Sequence, residues 1–350
     1  MTQIDGYIIG VDLGGTIARV GAFTESGERL VVEQVEIEAR KGSKAGLKRI
    51  AELVNQIIKK TSKDQGGKGL HHLLRGIGIG STGPLDPFRG LLLNPATLPN
   101  WENVPIVSWM EERFGVPCCI ENDADVAALG EYWMGAGQGV SRLYAITVGT
   151  GIGTACVVDG QVYRGAGGFH PEGGHQIIDP SGPSCYCGGK GCWESLASGT
   201  SIAQRAREII HRMETARTQP TASFRAADTP LGSKLMEMAG NDANRIDALL
   251  VAEAARQGDP LSRQIINQAA GHFAQGVFNI LMLFFPEVIV LSGGVMQSLD
   301  LFMPAIQQAV ESSQPYLPSS QVHILPAQLG YYAGMYGGAY AILQKLGKSE

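Results

Sequence analysis

One short pattern occurs twice in this chain, and it limits the fold more than any other feature. Tyr7-Ile8-Ile9-Gly10-Val11 is an apolar run suited to a buried strand, and it leads into Asp12-Leu13-Gly14-Gly15-Thr16. Residues 17–23 then read as a second strand, with a turn at Glu25-Ser26-Gly27. Residues 144–148 lead likewise into Gly149-Thr150-Gly151-Ile152-Gly153, followed by a strand over 154–158 and a turn at Asp159-Gly160. Each Gly loop joins two strands of a hairpin. That excludes a dinucleotide fingerprint and a Walker P-loop, which both open a helix. A repeated strand, Gly loop, strand unit implies an α/β chain of two similar lobes whose Gly loops face one cleft. Exposed N–H groups in such loops hold phosphate without lysine.

The rest of the chain alternates elements. Strands are expected over 30–37, 73–79, 117–120, 287–291 and 322–326, and helices over 45–60, 106–114, 126–133, 201–215, 245–256, 262–284, 301–312 and 331–346. On the first helix Leu47, Ile50, Ala51, Val54, Ile57 and Ile58 share a face. A polar linker is expected over 61–69, and loops over 83–100 and 219–228. The stretch 215–230 carries no assignable role. A third Gly turn, Ser292-Gly293-Gly294-Val295, precedes a helix.

Between Glu172 and Glu194 the chain places His175, Cys185, Cys187 and Cys192 among glycines and prolines that forbid a regular helix. Three thiols and an imidazole are the donor set of a closed structural zinc site, although this spacing is not a common zinc-finger spacing. Such a knot would hold Glu172 and Glu194 at a set separation, as a substrate site needs. The remaining cysteines, 118, 119 and 156, make no disulfide framework in a chain of 350 residues. Clustered cysteines therefore point to metal and a reducing cytoplasm.

Asp12 beside Gly14 and Gly15 repels phosphate unless a Mg²⁺ lies between them. Thr16 and Thr150 offer hydroxyls, and Arg19 is placed to pair with Asp12 or with phosphate. Asp123 stands at a strand end and helix start, where a carboxylate serves as an N-cap or accepts a proton from a substrate hydroxyl. Glu121 and Asp125 compete for the second role. Sugars are bound by carboxylates and amides that bridge adjacent hydroxyls, and Asn122, Glu172, His175 and Glu194 supply these.

Net charge is −5 without a basic block or acidic tail, which excludes nucleic acid and anionic membranes as natural partners. The apolar stretch 277–285 is closed by Pro286-Glu287 and is too short for a bilayer. No secretory signal opens the chain, and a cytoplasmic protein is expected.

These motifs resemble those of the ROK family of sugar kinases, within the hexokinase, heat-shock-70 and actin superfamily. The family pattern D-x-G-G-T-x-x-R is present as Asp12 to Arg19, E-N-D-A as Glu121 to Ala124, and the second phosphate loop as Gly149 to Gly153. E-x-G-H and C-x-C-G-x-x-G-C-x-E are Glu172 to His175 and Cys185 to Glu194. The resemblance covers nearly the whole chain. It implies a two-lobed actin-like ATPase (ribonuclease H-like) fold with a central cleft. The smaller lobe would comprise 1–122 with a C-terminal helix at about 331–350, and the larger lobe 123–330. It implies transfer of phosphate from ATP, with Mg²⁺, to the 6-hydroxyl of a hexose, Asp123 acting as general base. By resemblance Asn122, Asp123, Glu172, His175 and Glu194 hold the sugar. His175, Cys185, Cys187 and Cys192 hold zinc. Asp12, Gly14, Gly15, Thr16, Arg19, Thr150, Gly151, Gly293 and Gly294 serve ATP, and Asp12 also serves magnesium.

The segment Ser81-Thr82-Gly83-Pro84, with Asn94-Pro95 and Leu98-Pro99-Asn100-Trp101, is expected to face the sugar. It is similar to the P-N-L-P-G-W type loop of glucose-phosphorylating members, with Asn100 where Gly is usual. Glucose is the first expected substrate, then N-acetylmannosamine or N-acetylglucosamine, then fructose. A sugar-responsive transcription regulator is the rival from another class. The first strand begins at Tyr7, which leaves no room ahead of it for a helix-turn-helix domain. A homo-oligomer, dimer or tetramer, is implied by the family.

Overall fold

Strand β1 (Tyr7–Leu13) shows how the first sheet is built. Alternate side chains of a strand point to opposite faces. Tyr7, Ile9, Val11 and Leu13 enter one core, with Leu47, Ile50, Val54 and Ile57 of helix α1 (Ser43–Asp64). Ile8 enters a second core, with Met335, Ala339 and Ile342 of the last helix. Both faces are covered, which is why the run is apolar throughout.

The computed structural model describes residues 6–64, 73–218, 234–313 and 316–347. β1 pairs antiparallel with β2 (Ile17–Thr24), which pairs antiparallel with β3 (Arg29–Glu36). On its other side β1 runs parallel to β4 (Leu74–Ser81), giving a five-stranded sheet of order β3-β2-β1-β4-β7. Between β4 and β7 (Cys118–Asn122) lie the short strands β5 (Leu85–Asp86) and β6 (Leu91–Leu92) and helix α2 (Ile106–Phe114). Helix α3 (Asp123–Met134) follows β7 directly.

The second sheet repeats this order as β10-β9-β8-β11-β12. Its strands are β8 (Arg142–Val148), β9 (Ile152–Val158), β10 (Gln161–Val162), β11 (Val288–Ser292) and β12 (His323–Pro326). Between β10 and β11 come α4 (Trp193–Ala197), α5 (Gly199–Thr218), α6 (Lys234–Met238), α7 (Ala248–Arg256) and α8 (Pro260–Phe284). Helix α9 (Leu299–Ser313) connects β11 to β12, and α10 (Ala333–Gly347) ends the described chain. Among the described residues no helix is long and apolar enough to cross a membrane.

Several elements differ from expectation. The helix expected over 245–256 is a 3₁₀ turn, Ala243–Arg245, and then α7. Asp247 restarts it by accepting the Leu250 N–H at 2.8 Å, an N-cap that a reading of apolar spacing passes over. Trp193 begins a helix inside the stretch expected to exclude one. The loop expected over 219–228 and most of the linker over 61–69 lie outside the described residues.

By packing, the chain forms two compact units. One comprises Met1–Ala145, Ala155–Pro171 and Ala327–Glu350; the other comprises Ile146–Thr154 and Glu172–Pro326. Helix α3, expected with the second lobe from residue 123 onward, therefore belongs to the first unit. The reason is its tight seat on α10. A Cβ on Gly337 would lie 1.6 Å from the Val126 carbonyl oxygen, and one on Gly130 would lie 2.3 Å from that of Ala333. The sheet is as close: a Cβ on Gly10 would lie 1.8 Å from Met335 O.

Gly337→Ala should cost about 3 kcal/mol or more, the top of the usual overpacking range, because backbone rather than a movable side chain blocks the methyl. Gly271→Ala in α8, where nothing lies within 4 Å, should instead gain up to about 1 kcal/mol from helix propensity. Urea unfolding of both variants checks the pair. A midpoint for Gly337→Ala equal to wild type would refute the tight seat.

Candidate functional site

The first Gly loop, the end of β4 and the start of α3 lie together at the C-terminal ends of three parallel strands. Leu13 is in register with Ser81, and Ser81 with Asn122. This is where open α/β sheets bind ligands. Asp12 lies across from Arg19 on the hairpin and pairs with its Nη1 at 3.1 Å. Burial pushes the Asp12 carboxyl above its ordinary value, with Arg19 pulling the other way. The loop closes through Gly14 N–H to Ile17 O at 3.1 Å. Gly15 is pressed on residue 97: a Cβ there would lie 2.7 Å from the Thr97 carbonyl oxygen.

The three acids around β7 and α3 have different fates. Glu121 forms an ion pair with Arg164. Asp125 is buried and bonds His170 Nδ1 at 2.9 Å. Asp123 remains exposed and forms no ion pair among the described residues. Asn122 caps α3, its Oδ1 accepting the Ala124 N–H at 2.9 Å, so the helix does not depend on Asp123 as its cap. Asp123 accepts the same N–H at 2.8 Å. Desolvation by surrounding protein raises its carboxyl to about 6; the Ala124 N–H and His170 oppose this, while Asp12 and Asp125 add to it. Water reaches the exposed carboxylate and screens part of that upward shift.

The loop expected to face a sugar divides. Ser81 is fully buried, and its hydroxyl has no hydrogen-bond partner among the described residues. Trp101 is fully buried in the α1 core, its indole N–H reaching Ala39 O at 3.3 Å, so it is a packing residue. Asn100 is exposed with φ +66°. Asn tolerates that left-handed conformation better than most residues, which accounts for Asn standing where Gly is usual.

In the second unit Glu194, on the first turn of α4, is pinned. Its Oε2 accepts the Ile152 N–H at 2.8 Å, and a Cβ on Gly151 would lie 2.2 Å from that oxygen. Gly174 abuts the same loop: a Cβ on it would lie 2.0 Å from Ile152 O, which ties the Glu172–His175 segment to residues 151 and 152. Gly149 receives the Gly199 N–H at 2.8 Å, and Gly293, at φ +93°, leaves only 2.3 Å between a Cβ and Val148 O. Gly294 faces open space.

His175, Cys185, Cys187 and Cys192 bring their donor atoms within 4.8 Å of one another. Cys185 Sγ lies 3.5 Å from His175 Nδ1, and Cys187 Sγ 3.5 Å from Cys192 Sγ. These separations fit the edges of a tetrahedron with metal–sulfur bonds near ~2.3 Å. Backbone bonds shape the knot: Cys185 N–H to Gly189 O at 2.9 Å and Trp193 N–H to Gln176 O at 2.9 Å. Trp193 is buried against Phe273 and anchors it.

Sequence reasoning missed Arg164 and His170. Both lie in a Gly-rich stretch without periodicity, and only tertiary folding brings them to Glu121 and Asp125.

The ROK family pattern matches residues 8–345. The chain is 31% identical over 341 residues to a glucokinase of Thermotoga maritima, covering 97% of this chain and 98% of that one. The ROK hexokinase structure from Thermus thermophilus superposes with a TM-score of 0.76 at 28% identity, covering 98% and 99% of the two chains. A ROK family glucokinase from Streptomyces griseus, solved in complex with glucose and AMPPNP, gives a TM-score of 0.69 at 30% identity over 95% and 98%. The two repeated sheets thus form the actin-like ATPase fold of these kinases, and the chain belongs to the ROK family.

Proposed function

We propose that this chain is an ATP-dependent sugar kinase that phosphorylates a hexose at its 6-hydroxyl, with glucose the first substrate to test. One observation carries the reading: of three acids at the β7–α3 junction, only Asp123 is left exposed and without an ion pair among the described residues. A carboxylate that is ionised at neutral pH and raised toward 6 suits acceptance of a hydroxyl proton. Glu172, His175, Glu194 and Asn122 hold and orient the sugar. Gly14 and Gly149 spend their N–H groups closing their own loops, and the N–H groups at 15–16 and 150–151 face the phosphates, with Gly293-Gly294 receiving the nucleotide. Positioning and electrostatics supply most of the rate in phosphoryl transfer. Mg²⁺ neutralises phosphate charge when bound, and Asp12, desolvated and close in sequence to Thr16, is a suitable protein ligand for it.

His175, Cys185, Cys187 and Cys192 hold a structural zinc ion in this reading. The zinc takes no part in the chemistry; it keeps His175 and Glu194 at their spacing.

A coupled ADP-release assay over glucose, N-acetylglucosamine, N-acetylmannosamine and fructose tests the function directly, and no release with any of them would end it. Asp123→Asn should reduce turnover by several orders of magnitude while sugar binding partly survives. In wild type, kcat/KM should fall as pH drops from about 6 toward the ordinary Asp value, because the protonated acid accepts no proton. The raised carboxyl also means that the folded state holds its proton more tightly than the unfolded chain. Stability contributed by Asp123 is therefore lost as pH rises through that window, and Asp123→Asn should melt higher than wild type at pH 8. An unchanged or lower melting temperature would refute the desolvated carboxylate.

Metal analysis of gently purified protein should find one zinc per chain. Cys187→Ser should lower that content, and a strong chelator should lower the melting temperature, since structural zinc contributes roughly 10 kcal/mol in small sites. Folded protein without zinc would refute the metal site.

A further inference from the structure

Arg19 contacts Asp12 without being satisfied by it. The two residues are in register across β1 and β2, and Arg19 Nη1 donates to Asp12 Oδ2 at 3.1 Å. Nε of the same guanidinium is buried and has no hydrogen-bond partner among the described residues. A buried donor left open costs free energy and calls for a reason.

The second support of Arg19 is a ring. Tyr331 lies in the turn Gly330–Tyr332 that leads into α10, and the Arg19 guanidinium carbon is 5.8 Å from its ring centroid. Tyr331 is 58% exposed, so burial does not explain the aromatic there. A second ring fixes it. Its centroid lies 3.9 Å from that of Tyr332, its hydroxyl donates to the Tyr332 hydroxyl, and the Arg29 guanidinium carbon is 4.2 Å from the Tyr332 centroid. Arg29, Tyr332, Tyr331, Arg19 and Asp12 thus form one series, with two rings between two cations that would repel if adjacent. Gly334, three residues beyond Tyr331, seats the turn on the same pair: a Cβ there would lie 2.9 Å from Asp12 Cγ.

The two supports differ in what they leave open. A carboxylate takes N–H donors, whereas a π face attracts the cation and takes none. A guanidinium held on a ring keeps its planar fork for phosphate oxygens. A pairing with Asp12 alone would spend Arg19 on the carboxylate that the proposed function gives to Mg²⁺.

We propose that Tyr331 is a positioning residue for phosphoryl transfer: its ring holds Arg19 beside Asp12 with N–H donors left for the phosphates of ATP, and Tyr332 and Arg29 hold the ring. The inference rests on the reading of Asp12 and Arg19 as residues that serve ATP. Full-length Tyr331→Leu, Tyr331→Phe, Arg19→Ala and the double variant Tyr331→Leu with Arg19→Ala are compared with wild type for the Kd of Mg²⁺-AMPPNP by calorimetry and for the KM of ATP and of glucose. Tyr331→Leu keeps bulk but removes the π face, and should weaken AMPPNP binding and raise the ATP KM about fivefold, the worth of one exposed cation–π contact, with glucose KM unchanged. Tyr331→Phe keeps the ring and should stay within about twofold of wild type in AMPPNP affinity. Arg19→Ala should weaken AMPPNP binding further, and adding Tyr331→Leu to it should change nothing more, because the ring acts through Arg19. Full AMPPNP affinity in Tyr331→Leu, with affinity lost in Arg19→Ala, would overturn the role of Tyr331 only. Equal losses in Tyr331→Leu and Tyr331→Phe would put the effect on the hydroxyl and overturn the role of the ring. A loss from Tyr331→Leu that persists without Arg19 would overturn it equally. If Arg19→Ala also keeps full affinity, the reading of Arg19 as a residue that serves ATP falls with it.

Discussion

Helix α10 meets β1, β4 and α3 backbone against backbone at several glycines, and the first unit depends on that approach. Gly10 and Gly78 on the strands face Met335 and Gly338 on the helix, with room for no Cβ on either strand glycine. Gly337 makes the matching approach to α3. Backbone-to-backbone contact of this kind is intolerant of sliding, because a shift along the helix puts a real side chain where a glycine was. It therefore sets the register between the strand end that carries Asp12 and the helix start that carries Asp123. Even Asp12 is touched by it: a Cβ on Gly334 would lie 2.9 Å from the Asp12 Cγ.

With the backbone so placed, the chemistry is decided by which acids acquire partners. Glu121, Asp123 and Asp125 have similar intrinsic acidity and lie within five residues. Arg164 occupies Glu121, and His170 occupies Asp125. Asp123 receives only an N–H and the repulsion of two nearby carboxylates, with His170 offsetting part of it. In the proposed reading, environment alone assigns different roles to like groups, as in other carboxylate pairs used for acid–base work. Pairing then serves selection as much as stability, since it removes competing bases from the junction.

Much of this was legible in the chain. The apolar runs of β1 and β8, the Gly loops after them and the buried face of α1 follow from side-chain period and turn chemistry, and the structure places them as read. The His175 and cysteine cluster was legible because its donors are close in sequence. What stayed hidden depends on distant partners. Nothing near Glu121 announces Arg164, forty-three residues on, and nothing near Glu131 announces that its buried carboxylate accepts the Gln328 and Leu329 N–H groups. Trp101 misled for a related reason: its neighbours are turn residues, but its ring fills the α1 core. Capping misled by one place, because Asn122 and Asp123 are both good caps and only geometry shows which side chain holds the helix.

The second unit reaches precision by a different route from the first. Where α10 uses glycines to bring backbone together, the Glu172–Glu194 segment uses them to bring backbone to a carboxylate. Gly151 packs loop 149–153 against Glu194, and Gly174 packs the segment leading to His175 against Ile152, so the proposed phosphate loop is joined to two of the proposed sugar ligands. The Cys/His cluster, the proposed metal site, is followed directly by Trp193, which is buried against Phe273. A side chain at residue 151 would part the loop from the Glu194 carboxylate, and one at 174 would part Ile152 from the segment that carries His175. In the proposed reading the Cys/His knot is a support for the site, and the glycines, which contribute no chemical group, join that support to the chemistry.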